Sequence, residues 1–306
     1  MGFGKRLRYL LRYAFFRLVL ALTRFAPLPL LRALFGRLGT LLAPLARKDY
    51  QRAQHHLQKA LGREANCQVL LRAHAQHLGM LVGEALWLAH APASAILRWT
   101  RFVGLDHLRT ALAQGRGVVL VTGHCGNWEW MNLALQAAGI PMTAAGRGLR
   151  DPRFDAFITY LRTRFGGQVA VRGRTAGREL LKALQQGRVA GLLIDQDVKV
   201  PGVFVPFFGE PAWTPIGAAL LSLRRQCPVV VGFACRTADG FMEITLQEPF
   251  TPEGDPNREE DLARLTALLT ARIEAHIRQH PEQWVWFHQR WRRRPQPQDR
   301  VWSLSG

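Results

Sequence analysis

The chain has 306 residues, enough for one large α/β domain or two modest ones, and 48% of them are apolar. The mean hydropathy of −0.05 excludes a polytopic membrane protein. Lysine and arginine number 41 against 22 acidic residues, which gives a formal net charge of +19. This charge favours a polyanionic partner: a nucleic acid, an anionic membrane, or an acidic protein or phosphorylated substrate.

The first 45 residues form a basic and apolar segment, since the first acidic residue of the chain is Asp49. Arginines interrupt its apolar runs, and we expect none to reach the roughly 18 residues of a spanning helix. A signal peptide fits poorly, because no small-residue cleavage site follows. A basic helix with large apolar side chains is typical of a segment lying in an anionic membrane interface. An ordinary amphipathic helix packed on the domain is the compatible alternative.

Residues 50–90 carry apolar side chains at helical spacing, and from about residue 98 short apolar runs alternate with helical stretches. This alternation predicts an α/β fold with a mixed, mostly parallel sheet flanked by helices. We expect a single domain over residues 46–306, preceded by the membrane-associating segment 1–45. The predicted strands are GVVLVTG, IPMTAAG, QVAVRG, VAGLLID, PVVVGFAC and FMEITLQ, and the later helices are 153–165, 176–186, 213–226 and 259–280.

The four cysteines, Cys67, Cys125, Cys227 and Cys235, show neither a CxxC pair nor a metal-ligand spacing. We therefore expect free thiols in a reducing compartment, with no metal site and no cofactor.

The clearest strand, VVLVT at 118–122, ends two residues before His124. In an open α/β sheet, chemistry gathers at the carboxyl ends of the strands. Glu129 follows His124 by five positions, and residues so spaced on one helix differ by about 140° in direction. The two converge if His124 lies in a turn and a helix begins near Asn127, a suitable N-cap. Glu129 would then accept a hydrogen bond from one imidazole nitrogen and leave the other as a base.

This arrangement suits acyl transfer to a hydroxyl, because an alcohol needs a base as it attacks an activated carbonyl. The attacking oxygen belongs to the substrate, so the protein needs no nucleophile of its own. Cys125 as a nucleophile is a weaker interpretation, since its side chain should point away from that of its neighbour His124. A structural histidine at a strand end is the other alternative.

HCGNWE, at 124–129, resembles the H-x4-D/E motif of glycerolipid acyltransferases. The longer stretch GRGVVLVTGHCGNWEW resembles the late lipid A acyltransferase family of Gram-negative bacteria. The similarity covers essentially the whole chain, including the basic N-terminal segment. Further similar segments follow in the family's order: GRGLRDP, LRTRFGG, LLIDQD, VFVPFFGEPA and HPEQWVWFHQRW.

The resemblance implies an enzyme on the cytoplasmic face of the bacterial inner membrane. It would move a fatty acyl chain from an acyl thioester, carried by acyl carrier protein or coenzyme A, onto a hydroxyl of an anionic lipid A precursor. Another lipid or glycolipid acceptor is the alternative within the same reaction class. The resemblance implies no nucleic-acid partner.

Carried over by position, His124 resembles the family's base and Glu129 its partner. Arginine can stabilise the oxyanion of a thioester's tetrahedral intermediate and can bind the phosphates of a lipid A precursor. Arg147 is the one departure, because Gly148 follows it where the family has proline. The predicted substrate-binding residues are Arg147, Arg162, Arg164, Asp195 and Asn127.

Three other functions account for less of the sequence than acyl transfer does. Asp195-Gln196-Asp197 resembles the Asp-x-Asp metal site of nucleotide-sugar glycosyltransferases, because hard divalent cations prefer oxygen ligands, but this leaves His124 and Glu129 unexplained. A nucleic-acid or membrane-binding module would use the basic charge, yet no recognition helix, zinc finger or ribonucleoprotein motif is present. A dinucleotide fold is excluded, since GRG at 115–117 precedes its strand and TGHCGN lacks a full GxGxxG.

Overall fold

The computed structural model describes residues 3–62, 66–149, 151–173 and 175–303. Nine strands lie in these ranges: β1 (Thr100–Val103), β2 (Val118–Thr122), β3 (Met142–Gly146), β4 (Gln168–Val171), β5 (Val189–Leu193), β6 (Gly202–Phe207), β7 (Glu210–Pro215), β8 (Val229–Arg236) and β9 (Met242–Leu246). The α-helices in the same ranges are α1 (Phe3–Leu22), α2 (Leu28–Leu42), α3 (Arg47–Leu61), α4 (Cys67–Leu88), α5 (Ala93–Arg98), α6 (Leu105–Ala113), α7 (Trp128–Ala137), α8 (Pro152–Thr163), α9 (Ala176–Gln185), α10 (Gly217–Arg225) and α11 (Glu259–Gln279).

Seven strands form the main sheet, in the order β1-β9-β8-β2-β5-β3-β4. β2 pairs in parallel with β8 on one side and β5 on the other, and β3 and β4 continue the parallel arrangement. β9 runs antiparallel to β8, and β1 is parallel to β9. The predicted mixed, mostly parallel sheet flanked by helices is confirmed.

β2 lies at the centre of this sheet, and all five of its residues are buried. A strand covered by helices on both faces has apolar residues throughout, which explains the β-branched run that predicts it. Thr122 of β2 lies opposite Leu193 of β5. Residues that follow these two strands therefore leave the sheet side by side at its carboxyl edge.

The hairpin β6–β7 stands outside the main sheet and packs on α11. The predicted helix over 213–226 is wrong at its start, since residues 213–215 belong to β7 and α10 begins at Gly217. Phe204 pairs with Trp213 across the hairpin. Pairing with the neighbouring strand determines that residues 213–215 form a strand. The helical spacing of apolar residues along the sequence does not reveal that pairing.

The N-terminal helices expose large apolar side chains over what we call the N-terminal apolar surface. This surface fits the predicted membrane-associating helix, although residues 1 and 2 lie outside the described part of the chain. Among the described residues, one helix, Leu28–Leu45, is long and apolar enough to cross a membrane by length and composition, with 18 residues at a mean hydropathy of 1.3. The expectation that no run reaches this length is therefore wrong. The surface consists of Leu10, Leu11, Phe15, Leu18, Leu22, Phe25, Leu30, Leu34, Leu38, Leu41, Leu42 and Leu45.

One face of α2 is fixed to α4. Gly39 and Gly79 allow the two helices to approach closely, because a Cβ at either glycine would clash with the backbone of the other helix. Nearby, Arg32 Nε donates to Glu84 Oε1 at 2.7 Å, and both side chains are buried. α2 is thus docked on the domain while its other face stays exposed, the arrangement of an amphipathic helix at a surface.

Candidate active site

The turn between β2 and α7 carries His124. Gly126 has φ +66°, and a Cβ there would clash with the carbonyl of Ala234, so only glycine fits this position. Asn127 caps α7 by accepting a hydrogen bond from the backbone N–H of Trp130 at 2.9 Å. Glu129 lies in the first turn of that helix. The predicted strand, turn and helix, with Asn127 as the cap, are confirmed.

Asp195 holds His124 through two hydrogen bonds. Nδ1 of the imidazole lies 2.7 Å from Asp195 Oδ1, and the backbone N–H of His124 donates to Oδ2 at 2.6 Å. The indole Nε1 of Trp284 donates to the same Oδ2 at 2.7 Å. Asp195 is only 1% exposed, so this carboxylate is immobilised in the protein interior by three donors.

The strand register explains why these two residues meet. His124 lies two residues beyond Thr122 and Asp195 two residues beyond Leu193, and Thr122 and Leu193 are paired across β2 and β5. Gly123 adds room for the contact, because a Cβ there would lie 3.0 Å from Asp195 Oδ2. Two neighbouring parallel strands thus deliver a histidine and a carboxylate to the same point of the sheet edge.

The charge of Asp195 determines which imidazole nitrogen is basic. Burial alone would raise the pKa of this carboxyl, but the charge of His124 and the hydrogen bonds from His124 and Trp284 outweigh it and lower the pKa below its usual range. An ionised carboxylate only accepts hydrogen bonds, so Nδ1 of His124 carries the proton. Nε2 is then the unprotonated nitrogen of the neutral ring.

Glu129 differs from its predicted arrangement, because Nδ1 of His124 is bound by Asp195 and Glu129 is bound by Arg162. Arg162 Nε lies 3.0 Å from both carboxylate oxygens, and Nη2 also donates to Oε1. Burial lowers the pKa of Arg162, but its hydrogen bonds and charge interaction with Glu129 exceed this effect and raise the pKa overall. α7 points Glu129 towards α8, whose last turn carries Arg162.

The structure separates the predicted substrate-binding residues. Arg147 and Arg162 line the same cavity as His124. Arg164 instead donates to the carbonyl of Leu88 and lies over the ring of Phe165. Asn127 is 4% exposed and has its side chain engaged inside the protein, and Asp195 is likewise buried against His124. The positions of Arg164, Asn127 and Asp195 therefore correspond to structural or positioning contacts.

A buried ion network lies beneath the turn between β2 and α7, centred on Glu84. Its carboxylate accepts hydrogen bonds from Asn127 Nδ2 at 2.7 Å and from Arg236 Nε at 2.8 Å, in addition to the bond from Arg32. Burial would raise the pKa of Glu84, but Arg236 and Arg32 lower it to about 2. The network joins the cap of α7 to the docked helix α2, and sequence patterns gave no indication of it.

His124 lines a cavity of about 1020 Å³. The volume is at the upper end of what proteins use for organic ligands. Glu129, Arg162 and His288 lie on its wall with His124. Most of the remaining lining is aliphatic or aromatic: Leu78, Leu81, Leu149, Ile158, Leu180, Leu181, Leu192, Leu193, Ile216, Leu220, Leu221, Val285 and Phe287.

Four arginines border the cavity, and we call them the basic rim: Arg147, Arg172, Arg178 and Arg224. All four are exposed. None of them forms a salt bridge to a carboxylate in the part of the chain that the structure describes. Their guanidinium groups are therefore available to an anionic ligand that enters the cavity.

Sequence reasoning missed three residues around His124. Trp284 binds Asp195, as described above. Trp128 packs edge-on against the imidazole of His124, with ring centroids 4.7 Å apart. His288 lies 5.6 Å from His124 by ring centroids, and burial lowers its pKa to about 4, which keeps it neutral. Trp284 and His288 both come from the segment HPEQWVWFHQRW. Its high content of aromatic residues is the sequence feature that could have indicated them.

The Asp-x-Asp interpretation does not fit the contacts of its two carboxylates. Asp195 is occupied by His124 and Trp284. Asp197 forms salt bridges with Arg292 and Arg293, both at 3.2 Å, and also accepts the backbone N–H of Arg293. Carboxylates that share a divalent cation are expected to face one another without such cationic partners.

Comparison with known proteins places the chain in a family. The family model for bacterial lipid A biosynthesis acyltransferases matches residues 1–293. A lipid A biosynthesis acyltransferase of Haemophilus influenzae is 28% identical over 290 residues, which cover 93% of this chain and 88% of the relative. A lipid A biosynthesis lauroyltransferase of Escherichia coli K12 is 31% identical over 209 residues, covering 67% and 66%. A phosphatidylinositol mannoside acyltransferase of Mycobacterium tuberculosis is 31% identical over 192 residues, covering 61% and 58%.

The family match begins at the first residue and includes the strand, the turn and the cavity walls described above. On this evidence the chain belongs to the bacterial lipid A biosynthesis acyltransferase family, and it is an acyltransferase.

Proposed function

We propose that this acyltransferase moves a fatty acyl chain from an acyl thioester of acyl carrier protein onto a hydroxyl of a lipid A precursor, with His124 as the general base. The supporting observation is the 2.7 Å contact between His124 Nδ1 and a buried, ionised Asp195 at the wall of a large apolar cavity. Asp195 therefore takes the orienting role that the resemblance assigns to Glu129.

The reaction needs one proton relay and no nucleophile from the protein. Nε2 of His124 removes the proton of the acceptor hydroxyl as its oxygen attacks the thioester carbonyl. The tetrahedral intermediate then collapses, the carbon–sulfur bond breaks, and the imidazolium returns the proton to the departing thiolate. Asp195 stabilises the imidazolium between these steps and keeps the proton of the neutral ring on Nδ1.

Arg162 supplies positive charge beside the reacting groups. It lines the cavity with His124, and Glu129 anchors it by hydrogen bonds to both carboxylate oxygens. An anchored guanidinium is preorganised to stabilise a developing oxyanion without moving. We assign this role to Arg162 and the role of its anchor to Glu129.

The chemistry of the cavity matches a lipid substrate. Its aliphatic lining suits an acyl chain, since burying each CH₂ group is worth about 0.8 kcal/mol. The basic rim suits phosphates, which both a lipid A precursor and the phosphopantetheine arm of a carrier protein carry. The net charge of +19 would also attract an acidic carrier protein.

The N-terminal apolar surface would hold the enzyme at the cytoplasmic face of the inner membrane, where a lipid acceptor is available. Deleting residues 1–25 removes α1 and leaves α2 to α11 in place. We expect the truncated protein to bind anionic phospholipid vesicles more weakly in a flotation assay, because α1 carries part of the N-terminal apolar surface and α2 keeps most of the rest, while circular dichroism confirms that it is folded. Unchanged flotation would show that α1 is not needed for the membrane contact.

The proposed reaction is tested by supplying donors and acceptors separately. Purified protein is incubated with an acyl-acyl carrier protein or acyl-coenzyme A and a lipid A precursor, and the lipid product is analysed by mass spectrometry. We expect the acceptor to gain the mass of the acyl group, with the carrier-protein donor used more efficiently than coenzyme A. Acylation of a phosphatidylinositol mannoside but not of the lipid A precursor would contradict the proposed acceptor while keeping the reaction.

A further inference from the structure

Three residues with sulfur or nitrogen ligand atoms meet beside the turn between β2 and α7, and none of them lines the cavity that contains His124. Cys125, Cys235 and His276 each place one ligand atom so that all three atoms lie within 4.8 Å of one another. The Sγ of Cys235 is 3.1 Å from Nε2 of His276. Both cysteines are free thiols, and they are 1% and 6% exposed.

The three residues come from separate parts of the fold. Cys125 follows His124 in the turn after β2, Cys235 lies in β8, and His276 lies in the last turns of α11. The ring of His276 stacks on Phe233 with centroids 3.8 Å apart and planes 6° apart. This stacking fixes the plane of the imidazole and holds Nε2 against Cys235.

We propose that Cys125, Cys235 and His276 bind a zinc ion. Thiolate sulfur and imidazole nitrogen are the ligands that zinc prefers, and tetrahedral bonds of about 2.3 Å to sulfur place two sulfurs about 3.8 Å apart. All three ligand atoms lie within 4.8 Å of one another, so side-chain shifts of at most about 1 Å would bring them to this geometry. Two thiolates also neutralise the charge of Zn²⁺, which allows the ion to lie in a buried position.

A second cavity gives the ion a path and a fourth coordination position. It has a volume of about 530 Å³ and is lined by Cys235, His276, His280 and Glu282, among others. The rings of His276 and His280 are 4.9 Å apart by centroids. A water molecule, or a small movement of His280 or Glu282, would complete a tetrahedral shell from this side.

The site would stabilise the catalytic turn without taking part in acyl transfer. Binding converts Zn²⁺ and two thiols into a zinc dithiolate and releases two protons to solvent. The ion would then join the turn that bears His124 to β8 and α11. The sequence predicted no metal site, because the three ligands are far apart along the chain and only the fold brings them together.

The test is the zinc stoichiometry of the full-length protein kept under a thiol-free reductant. The protein is stripped with a chelator, titrated with zinc against a chromophoric competitor, and titrated separately with Co²⁺. We expect about one equivalent of tightly bound zinc, and with Co²⁺ a thiolate-to-cobalt charge-transfer band in the near ultraviolet. A wild-type protein that binds no stoichiometric zinc would overturn the proposal.

Variants identify the ligands. Cys235→Ala removes one sulfur, and His276→Phe keeps a ring on Phe233 while it removes the nitrogen ligand. Both should lose the cobalt band and most of the zinc affinity, whereas the matched control with Cys67→Ala and Cys227→Ala should keep both. Retention of the band in Cys235→Ala and His276→Phe, or its loss in the control alone, would contradict the assignment.

Thermal unfolding provides a readout that does not depend on acyl transfer. A ligand that binds only the folded state raises its stability in proportion to the logarithm of free ligand over Kd. Zinc should therefore raise the Tm of the wild-type protein and of the Cys67/Cys227 control, and leave the Tm of folded Cys235→Ala unchanged. Cys125→Ala is the substitute if either ligand variant fails to fold. Equal zinc-induced shifts in wild-type and ligand variants would overturn the proposal.

Discussion

Two carboxylates lie close to the turn that carries His124, and their surroundings differ. The Asp195 side is interior: the side chain is 1% exposed and accepts hydrogen bonds from His124 and Trp284. The Glu129 side faces the cavity: the carboxylate is 17% exposed and is paired with a guanidinium that is 18% exposed. A buried hydrogen-bond acceptor is suited to holding an imidazole in one orientation. An ion pair on the cavity wall is suited to contacting a substrate.

The comparison shows that the nearer residue in sequence need not be the partner in space. Glu129 is five positions from His124, and Asp195 is 71 positions away. The turn sends His124 towards β5, whereas α7 carries Glu129 towards Arg162 on α8. The first of the following predictions removes His124. The others change either the Asp195 side or the Glu129 side.

The largest effect is expected from His124→Ala, which removes the proposed base. Without a group to take the hydroxyl proton, acyl transfer should fall by about 10³-fold, within the range that a positioned histidine contributes. The measurement is initial rate with a radiolabelled acyl donor, and circular dichroism checks that the variant is folded. Wild-type turnover by the folded variant would rule out His124 as the base.

Asp195→Asn tests the interior side. The amide keeps the shape but removes the charge, and its N–H₂ group can displace the proton of the imidazole from Nδ1 to Nε2. We expect a fall in kcat of about 10²–10³-fold with a small change in KM, because the acceptor lipid does not contact the buried side chain at position 195. A loss confined to KM would contradict the orienting role.

Glu129→Gln and Arg162→Gln test the cavity side as a pair. Each single change should lower kcat/KM by about 10–100-fold, and the double variant should be no worse than the poorer single variant, since the two residues act as one unit. Combining Arg162→Gln with Asp195→Asn should instead give roughly multiplied losses. Multiplied losses in the Glu129/Arg162 double variant would show that the pair does not function together.

Trp284→Phe is expected to have the smallest effect. It removes one hydrogen bond to Asp195 while the backbone and imidazole of His124 keep theirs, so kcat should fall about tenfold, the equivalent of 1.4 kcal/mol. Trp286→Phe is the matched control, because this indole donates to the carbonyl of Pro281 and not to Asp195. An equal loss in both variants would indicate a general packing effect.

Much of the fold could be predicted from local sequence, since buried parallel strands are continuous apolar runs bounded by glycine. VVLVT is the clearest case, and the cap at Asn127 followed from turn chemistry. The start of α10 could not be predicted, because residues 213–215 are held by cross-strand pairing with β6. The apolar length of the segment Leu28–Leu45 was also underestimated, because two arginines interrupt it.

The site was predictable only in part. The position of His124 at a strand tip follows from the sequence, but its contact with Asp195 depends on β2 and β5 being neighbours. Two strands, β3 and β4, separate them along the chain. Strand order is a property of the whole fold, so neither this contact nor the grouping of Cys125 with Cys235 and His276 could be read from spacing.

The fall of kcat/KM in Asp195→Asn compared with that in Glu129→Gln tests the central claim, that Asp195 and not Glu129 orients the base, most directly. Asp195→Asn should lower kcat/KM by about 10²–10³-fold, because the imidazole loses the carboxylate that fixes its orientation. Glu129→Gln should lower kcat/KM by only about 10–100-fold, because both hydrogen bonds between His124 and Asp195 stay in place. A larger fall in Glu129→Gln than in Asp195→Asn would contradict the account.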